Sequence, residues 1–127
     1  MKVYDMEYFI EFVADLVSEF DIFYEQAVDS RYYFNHGGCY ELYKVAKHYF
    51  PTVKCAMKKD YTHCAIIYNN EIYDIDGKVA DIENYRLATK DDIDYMEDRF
   101  GLHIKEIECE NIITELDQCR MKGKLYE

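Results

Sequence analysis

Cys39 is the residue of this sequence best placed to act as a nucleophile. It follows the pair Gly37-Gly38 and opens the run CYELYKVAKHYF. A free cysteine is only a few per cent thiolate at neutral pH, but the exposed N–H groups of a helix N-terminus stabilise the anion. The two glycines allow a sharp turn and leave space for a substrate. This setting predicts a nucleophilic thiol, and the alternative is a Gly-Gly turn that carries an incidental cysteine.

His63 is the predicted general base, because it begins the apolar run HCAIIY and two acids follow on the next strand. Asn69-Asn70 is a turn dipeptide between the two runs. The register set by a two-residue turn places His63 opposite Asp76, with Asp74 on the same face of the hairpin. Either aspartate could accept a hydrogen bond from the imidazole and stabilise its charged form.

An acyl-transfer site also needs donors for the developing oxyanion. The backbone N–H of Cys39 is one, and the side-chain amide of Asn35 is a second candidate, although Asn in a loop also forms Asx turns. His36 competes with His63 from the preceding loop. A metal site needs close Cys/His pairs, and the adjacent His63 and Cys64 would point to opposite faces of a strand. We therefore predict neither a metal nor a cofactor.

Helical patterns precede and follow these residues. Residues 5 to 29 contain no Gly or Pro and predict an amphipathic helix that bends near residue 21. The segment RYYFNHGG then ends in loop-forming residues. A second helix starts near Cys39, and Pro51 stops it. The apolar stripe of the first helix consists of Phe9, Phe12, Val13, Leu16, Val17 and Phe20, and that of the second of Leu42, Val45, Ala46 and Tyr49.

The middle of the chain has the character of β-structure. Strands are predicted at 53–57, 63–68 and 71–76, and the last two form a hairpin. Thr89 and Asp92 match the capping-box spacing of a short helix that Gly101 can end. A further strand at 102–109 and a last helix capped by Asn111 follow. Helices at both ends and strands between them predict an α+β fold with an antiparallel sheet.

Composition restricts the class of protein and its partners. The 127 residues suit one domain, 1–127, and the net charge of −11 argues against nucleic-acid binding. Five cysteines without a CxxC pair, and no membrane-spanning run, predict a cytoplasmic protein with reduced thiols and no membrane association. The sequence does not indicate an oligomeric state. The acidic surface either maintains solubility or faces a basic partner.

The segments GGCYELYKVAKHYFP and HCAIIYNNEIYDIDG resemble the papain-like superfamily, and most of all its transglutaminase-like and NlpC-type branches. They are also similar to small uncharacterised bacterial and phage proteins with a GxCxxLAxxL helix and an H-x-V hairpin ending in Y-D-x-x-G. The resemblance covers about residues 34 to 77. It implies a papain-like fold in which the N-terminal helix and the Cys39 helix pack on a small antiparallel sheet. It also implies Cys39 as nucleophile, His63 as general base and acid, and Asp74 as triad acid, with Asp76 as the alternative.

Two functions fit these features. The first is a cysteine hydrolase or acyltransferase, such as a thiol protease or amidase, that acts on an amide or isopeptide bond of a protein or peptide. The second is an acidic phage-type protein that binds and inhibits a host defence enzyme in the host cytoplasm, with a papain-like scaffold and little activity. Its predicted binding surface is the acidic cluster Asp91, Asp92, Asp94, Glu97 and Asp98.

Overall fold

The computed structural model describes residues 6–20, 30–35, 38–99 and 108–118, and it has the predicted α+β class. The helices are α1 (Met6–Ser18), α2 (Ser30–Asn35), α3 (Cys39–Tyr49), α4 (Lys90–Arg99) and α5 (Cys109–Gln118). The strands are β1 (Lys54–Lys58), β2 (Cys64–Tyr68), β3 (Glu71–Asp74), β4 (Gly77–Lys78) and β5 (Tyr85–Leu87), with a 3-10 turn (Ile82–Asn84) before β5. Within these ranges, no helix combines the length and the apolar character needed to cross a membrane.

The five strands form one antiparallel sheet in the order β4-β3-β2-β1-β5. Asn69 and Asn70 both adopt positive φ, 52° and 65°, as a two-residue hairpin turn requires. Tyr68 pairs with Glu71 across that turn, which confirms the predicted hairpin and its starting register.

The β2–β3 pairing ends earlier than the sequence pattern predicts. It stops at Ile66 and Tyr73, and Asp74 pairs instead with Gly77, whose φ is 105°. The chain therefore turns at residues 75–76, and the predicted position of His63 opposite Asp76 is wrong. The turn changes which aspartate can approach the imidazole.

The main core lies between the helices and one face of the sheet. Both predicted apolar stripes are confirmed. Fully buried members are Phe9, Val13 and Val17 of α1 and Leu42, Val45, Ala46 and Tyr49 of α3, while Phe12, Leu16 and Phe20 are partly buried against them. Ile112 and Leu116 of α5 complete this core. Because α3 is held along its whole inner face, its first residue, Cys39, has a fixed position over the sheet.

Two helix boundaries differ from the prediction for a non-local reason. Helix α2 was not predicted, and its buried Ser30 donates a hydrogen bond to the carbonyl of Ala14 in α1 (2.6 Å). Helix α5 begins at Cys109, not after Asn111, because the Cys109 N–H is accepted by the buried carboxylate of Glu41 in α3 (2.6 Å). Residues 21–29, 36–37 and 101–107 lie outside the described residues, so the predicted bend, His36 and most of the predicted strand at 102–109 do too.

Candidate active site

Gly38 sets the position of Cys39 at the first turn of α3. Its N–H donates to the carbonyl of Tyr33 (2.9 Å), and its carbonyl accepts from Leu42 (3.2 Å). A Cβ on Gly38 would lie 2.1 Å from the ring of Tyr33, so only glycine permits this close approach. The N-terminal N–H groups of α3 lack acceptors within the helix. They favour a negative charge on the cysteine that begins it.

The Cys39 sulfur lies against the start of β2. The backbone N–H of Cys64 donates a hydrogen bond to Cys39 Sγ at 3.4 Å. Cys39 is only 4% exposed and belongs to a small apolar cluster beneath the sheet face. The other buried members are Tyr40, Cys55, Met57, Cys64 and Met96. The thiol is thus held in place and largely shielded from water.

The structure places His63 and Asp74 side by side. His63 Nε2 lies 3.4 Å from Asp74 Oδ2, and both side chains are mostly buried. The other carboxylate oxygen, Asp74 Oδ1, accepts the backbone N–H of Asp76 at 2.9 Å. Within the described part of the chain, the buried Nε2 makes no well-angled hydrogen bond. The contact is therefore an ion pair, strongest when the imidazole is protonated.

The pKa values of Cys39 and His63 move in opposite directions. Hydrogen bonding from the Cys64 side chain lowers the pKa of Cys39 to about 5; burial opposes this shift, and the nearby imidazole of His63 adds to it. For His63, burial acts to lower the pKa, but the contacts with Asp74 and Cys39 outweigh burial and raise it to about 9. Between these two pKa values the pair is a thiolate and an imidazolium.

Asp76 and Asn35 meet each other instead of the His63 ring. Asn35 Nδ2 donates to Asp76 Oδ2 at 3.1 Å, and this contact joins the end of α2 to the β3–β4 turn. The assignment of Asp76 as the alternative triad acid and of Asn35 as an oxyanion donor stays a prediction. Of the two aspartates, it is Asp74 that approaches the imidazole.

Two further thiols lie beside Cys39. Cys64 and Cys55 are both buried, and hydrogen bonding of the Cys64 thiol with Cys39 and then with Cys55 raises the pKa of Cys64 well above its usual range. The sequence pattern did not indicate this cluster, since Cys39, Cys55 and Cys64 lie on three separate elements. Cys109 is different: it is partly exposed, and burial followed by the charge of Glu41 raises its pKa to about 11.

Comparison with known protein families finds a family that matches most of the chain. The family described as "Phage YunG-like protein" matches residues 16–116 of the 127. The chain belongs to the phage YunG-like family. The span matched by this phage YunG-like family includes every predicted site residue, from Asn35 to Asp76. Neither the curated proteins nor the solved structures gave a match to the chain.

Tyr85 is a neighbour of the site that the sequence reasoning missed. It lies in β5, is 9% exposed, and packs with Ala56 and Ala65 on the sheet face opposite the main core. Burial and then the charge of Asp74 raise the pKa of Tyr85 to about 12, so its hydroxyl stays protonated. No pattern signalled it, because β5 reaches the site by pairing with β1.

An open groove of about 210 Å³ lies beside Asp76. Its lining is Glu7, Ile10, Glu11, Arg31, Ile75, Asp76 and Gly77. This phage YunG-like chain therefore has a groove with three acidic side chains and one arginine next to the β3–β4 turn. Among the described residues, no group of three or more His, Cys, Asp or Glu side chains is arranged to hold a metal ion.

Proposed function

We propose that this protein is a cysteine hydrolase or acyltransferase that acts on an amide or isopeptide bond through Cys39, His63 and Asp74. The observation that carries the proposal is the approach of a helix-terminal sulfur to the start of β2, where the next residue back is an imidazole paired with a carboxylate. A thiol beside an imidazole that is itself paired with a carboxylate is the arrangement that nucleophilic catalysis by cysteine uses, which supports the proposal.

The proposed reaction begins with the ion pair. The Cys39 thiolate attacks the substrate carbonyl carbon, and the carbonyl oxygen becomes negative in the tetrahedral intermediate. In this proposal the backbone N–H of Cys39, at the helix N-terminus, donates to that oxygen. His63 then gives its proton to the leaving amine, the C–N bond breaks, and a thioester on Cys39 remains.

The second half of the reaction releases the acyl group. Neutral His63 takes a proton from water, or from an acceptor amine, as that nucleophile attacks the thioester. The C–S bond breaks, and Cys39 leaves as a thiolate beside the newly charged imidazolium. Asp74 supports both halves by holding the ring and by stabilising its positive charge, while the Asp76 N–H fixes the orientation of the carboxylate.

Asp74 is a better triad acid than Asp76 for two reasons. One of its oxygens faces His63, and the other is bound by a backbone N–H, so the carboxylate has a single orientation. Asp76 is exposed and is bound to Asn35. Asn35 could still donate to an oxyanion with the second hydrogen of its amide. The papain-like architecture belongs to this same proposal, as does a protein or peptide substrate.

The burial of Cys39 determines which substrate is suitable for the first experiment. Because Cys39 is only 4% exposed, a small acyl donor is the appropriate probe. The protein is mixed with p-nitrophenyl acetate near pH 7, and nitrophenol release is followed together with intact mass. We expect a burst of one equivalent and one acetyl group on Cys39, followed by slow turnover.

Single substitutions test the proposed roles of Cys39 and the two aspartates one at a time. Cys39→Ala should abolish the burst. Asp74→Asn should slow acylation by about 10² to 10⁴-fold, while Asp76→Asn, the matched control two residues away, should leave it close to the wild-type rate. Acetylation spread evenly over several thiols, or equal effects of the two aspartate variants, would contradict the proposal.

A second candidate function is binding to a host protein by a phage-type acidic surface, and the family membership favours it. On the exposed face of α4 lie Asp91, Asp94 and Asp98, which could meet a basic partner. The predicted cluster loses Asp92, which is buried against Arg86 and accepts the Thr89 N–H, whereas Glu97 stays exposed while it accepts the Tyr40 hydroxyl. The confirmed capping box thus removes one acid from the surface.

The two functions make opposite predictions in cells. The protein is expressed in a bacterial host that carries an antiphage defence system, and phage plating efficiency is measured. An inhibitor that works by surface charge keeps its effect in Cys39→Ala and loses it when Asp91, Asp94 and Asp98 are all changed to Lys. An enzyme gives the reverse result.

A further inference from the structure

We propose that Cys39 and Cys64 form a peroxide-sensitive modification site, in which oxidised Cys39 is captured by Cys64 as an intramolecular disulfide. The inference requires an ionised Cys39 but no acyl transfer, so it can stand or fall separately from the proposed enzyme activity. It gives a role to Cys64, which the proposed catalytic mechanism does not use.

The geometry brings these two residues into direct contact. The backbone N–H of Cys64 donates a hydrogen bond to Cys39 Sγ at 3.4 Å, and interaction with the Cys64 side chain is the largest cause of the lowered pKa of Cys39. Cys64 is opposite Met57 in the β1–β2 ladder, and both side chains belong to the same buried cluster as Cys39. The Cys64 side chain therefore points from the sheet towards the start of α3.

The surroundings of the two cysteines indicate that Cys39 is the thiol that reacts with peroxide and that Cys64 is the thiol that then forms the disulfide. Cys39, next to His63, is the ionised thiol, and thiolates are the form that peroxides oxidise. Cys64 stays protonated, in part because a second negative charge beside Cys39 is unfavourable. Oxidation of Cys39 removes that charge, so Cys64 becomes easier to ionise once the sulfenic acid has formed.

The chemistry balances with one peroxide molecule. The Cys39 thiolate attacks the terminal oxygen of the peroxide and the O–O bond breaks. Cys39 becomes a sulfenic acid, and the departing hydroxide takes the proton of the His63 imidazolium and leaves as water. The Cys64 sulfur then attacks the Cys39 sulfur, forms the S–S bond and expels the hydroxyl, which leaves as water with the Cys64 proton. The two thiols are oxidised by two electrons and the peroxide is reduced.

Such a disulfide would protect the nucleophile. An isolated sulfenic acid can be oxidised further to a sulfinic acid, which ordinary thiols do not reduce. A nearby resolving cysteine stops the oxidation at a disulfide, which thiols can reverse. The same bond would join the first turn of α3 to β2 and would make Cys39 unable to attack a substrate until it is reduced.

Peptide mapping after a limited peroxide treatment tests this inference. The reduced full-length protein is exposed to one equivalent of hydrogen peroxide, remaining thiols are alkylated, and crosslinked peptides are identified by mass spectrometry. We expect a Cys39–Cys64 crosslink that dithiothreitol removes. Cys55→Ser is the matched control, because Cys55 is buried in the same apolar cluster as Cys39 and Cys64; this variant should form the crosslink as the wild type does.

Cys64→Ser should lose the crosslink and accumulate Cys39 sulfenic acid that dimedone captures, or the sulfinic acid that follows it. A Cys55–Cys64 crosslink in the wild type, an unoxidised Cys39, or equal sulfinic acid in the wild type and Cys64→Ser would overturn the inference. The wild-type crosslink map is decisive even if the Cys64 variant folds poorly. A crosslink without an acetyl-enzyme burst would refute the proposed enzyme activity alone.

Discussion

Selective modification of Cys39 at mildly acidic pH follows from the two thiol pKa values. Cys39 and Cys109 are both free, but the first has a pKa of about 5 and the second of about 11. At pH 6 about nine-tenths of Cys39 and about 10⁻⁵ of Cys109 would be thiolate, a ratio of about 10⁵. A low-pKa thiolate is intrinsically less nucleophilic, by about 10³-fold over six pKa units. Cys39 should therefore react about 10²-fold faster than Cys109, although Cys109 is more exposed.

The assay uses methyl methanethiosulfonate, a small thiol-exchange reagent, at limiting concentration, with peptide mapping from pH 5 to pH 9. The Cys39 rate should be nearly constant above pH 6, whereas the rate of an ordinary thiol rises about tenfold per pH unit until its own pKa. This pH dependence separates ionisation from access, because shielding lowers the rate equally at each pH. His63→Ala should raise the pKa of Cys39 in part, because the Cys64 interaction remains, and should extend the steep region of the profile to higher pH, while His48→Ala, at the exposed far end of α3, should not. A Cys39 rate that climbs tenfold per unit up to pH 8 in the wild type would refute the reasoning.

Three further predictions concern stability. The lowered pKa of Cys39 contributes stability that is lost as the pH falls through about 5, and the raised pKa of His63 contributes stability that is lost as the pH rises from its ordinary value of 6.5 through about 9. The two changes nearly cancel above pH 6.5, so from this pair the free energy of unfolding should rise by about 1 kcal/mol between pH 5 and 6.5 and then stay nearly level. Urea denaturation of the wild type and of Cys39→Ser at several pH values measures this rise in stability. An equal rise in both proteins would contradict the prediction. Glu41→Ala leaves the first N–H of α5 without its acceptor and should cost about 1–3 kcal/mol in urea denaturation, more than Glu41→Gln; equal costs would exclude a capping role. Gly38→Ala forces a methyl group into the Tyr33 ring and should lower the free energy of unfolding by about 1–3 kcal/mol. This loss should be smaller in a Tyr33→Ala background. An equal loss in that background would show that the Tyr33 ring is not its cause.

Most of the elements near the site could be predicted because local signals specify them. The apolar stripe of α3 and the stop at Pro51 predict that helix, and the Asn69-Asn70 turn fixes the register of the hairpin at its start. The capping box at Thr89 is equally local, because the two residues that form it are three apart. In each case the signal and the structure lie within a few residues of each other.

The choice between the two aspartates could not be derived from the alternating strand pattern. That pattern assumes that β3 continues to residue 76. Asp74 Oδ1 instead accepts the N–H of Asp76, a side-chain turn that ends the strand, and Gly77 supplies the positive φ needed to begin β4. The sequence D-I-D-G carried this signal, but the alternation of apolar and acidic residues concealed it.

Contacts between distant elements could not be read from the sequence either. The thiol cluster of Cys39, Cys55 and Cys64 depends on how α3 packs on the sheet. The position of Tyr85 depends on β5 pairing with β1, across the sheet from β4. A boundary such as the start of α5 depends on a carboxylate 68 residues earlier in the chain. These features follow from tertiary packing, which overrides local preference at helix ends.

The protonation state of Cys39 is the claim on which the proposed chemistry rests, and ultraviolet absorbance of the thiolate reports it directly. The wild type is titrated from neutral to acidic pH, and the signal of Cys39→Ser is subtracted so that only Cys39 contributes. A thiolate present at pH 7 that disappears with a midpoint near 5 is the predicted result. A difference signal that is absent at pH 7 and emerges only above pH 8 would contradict it.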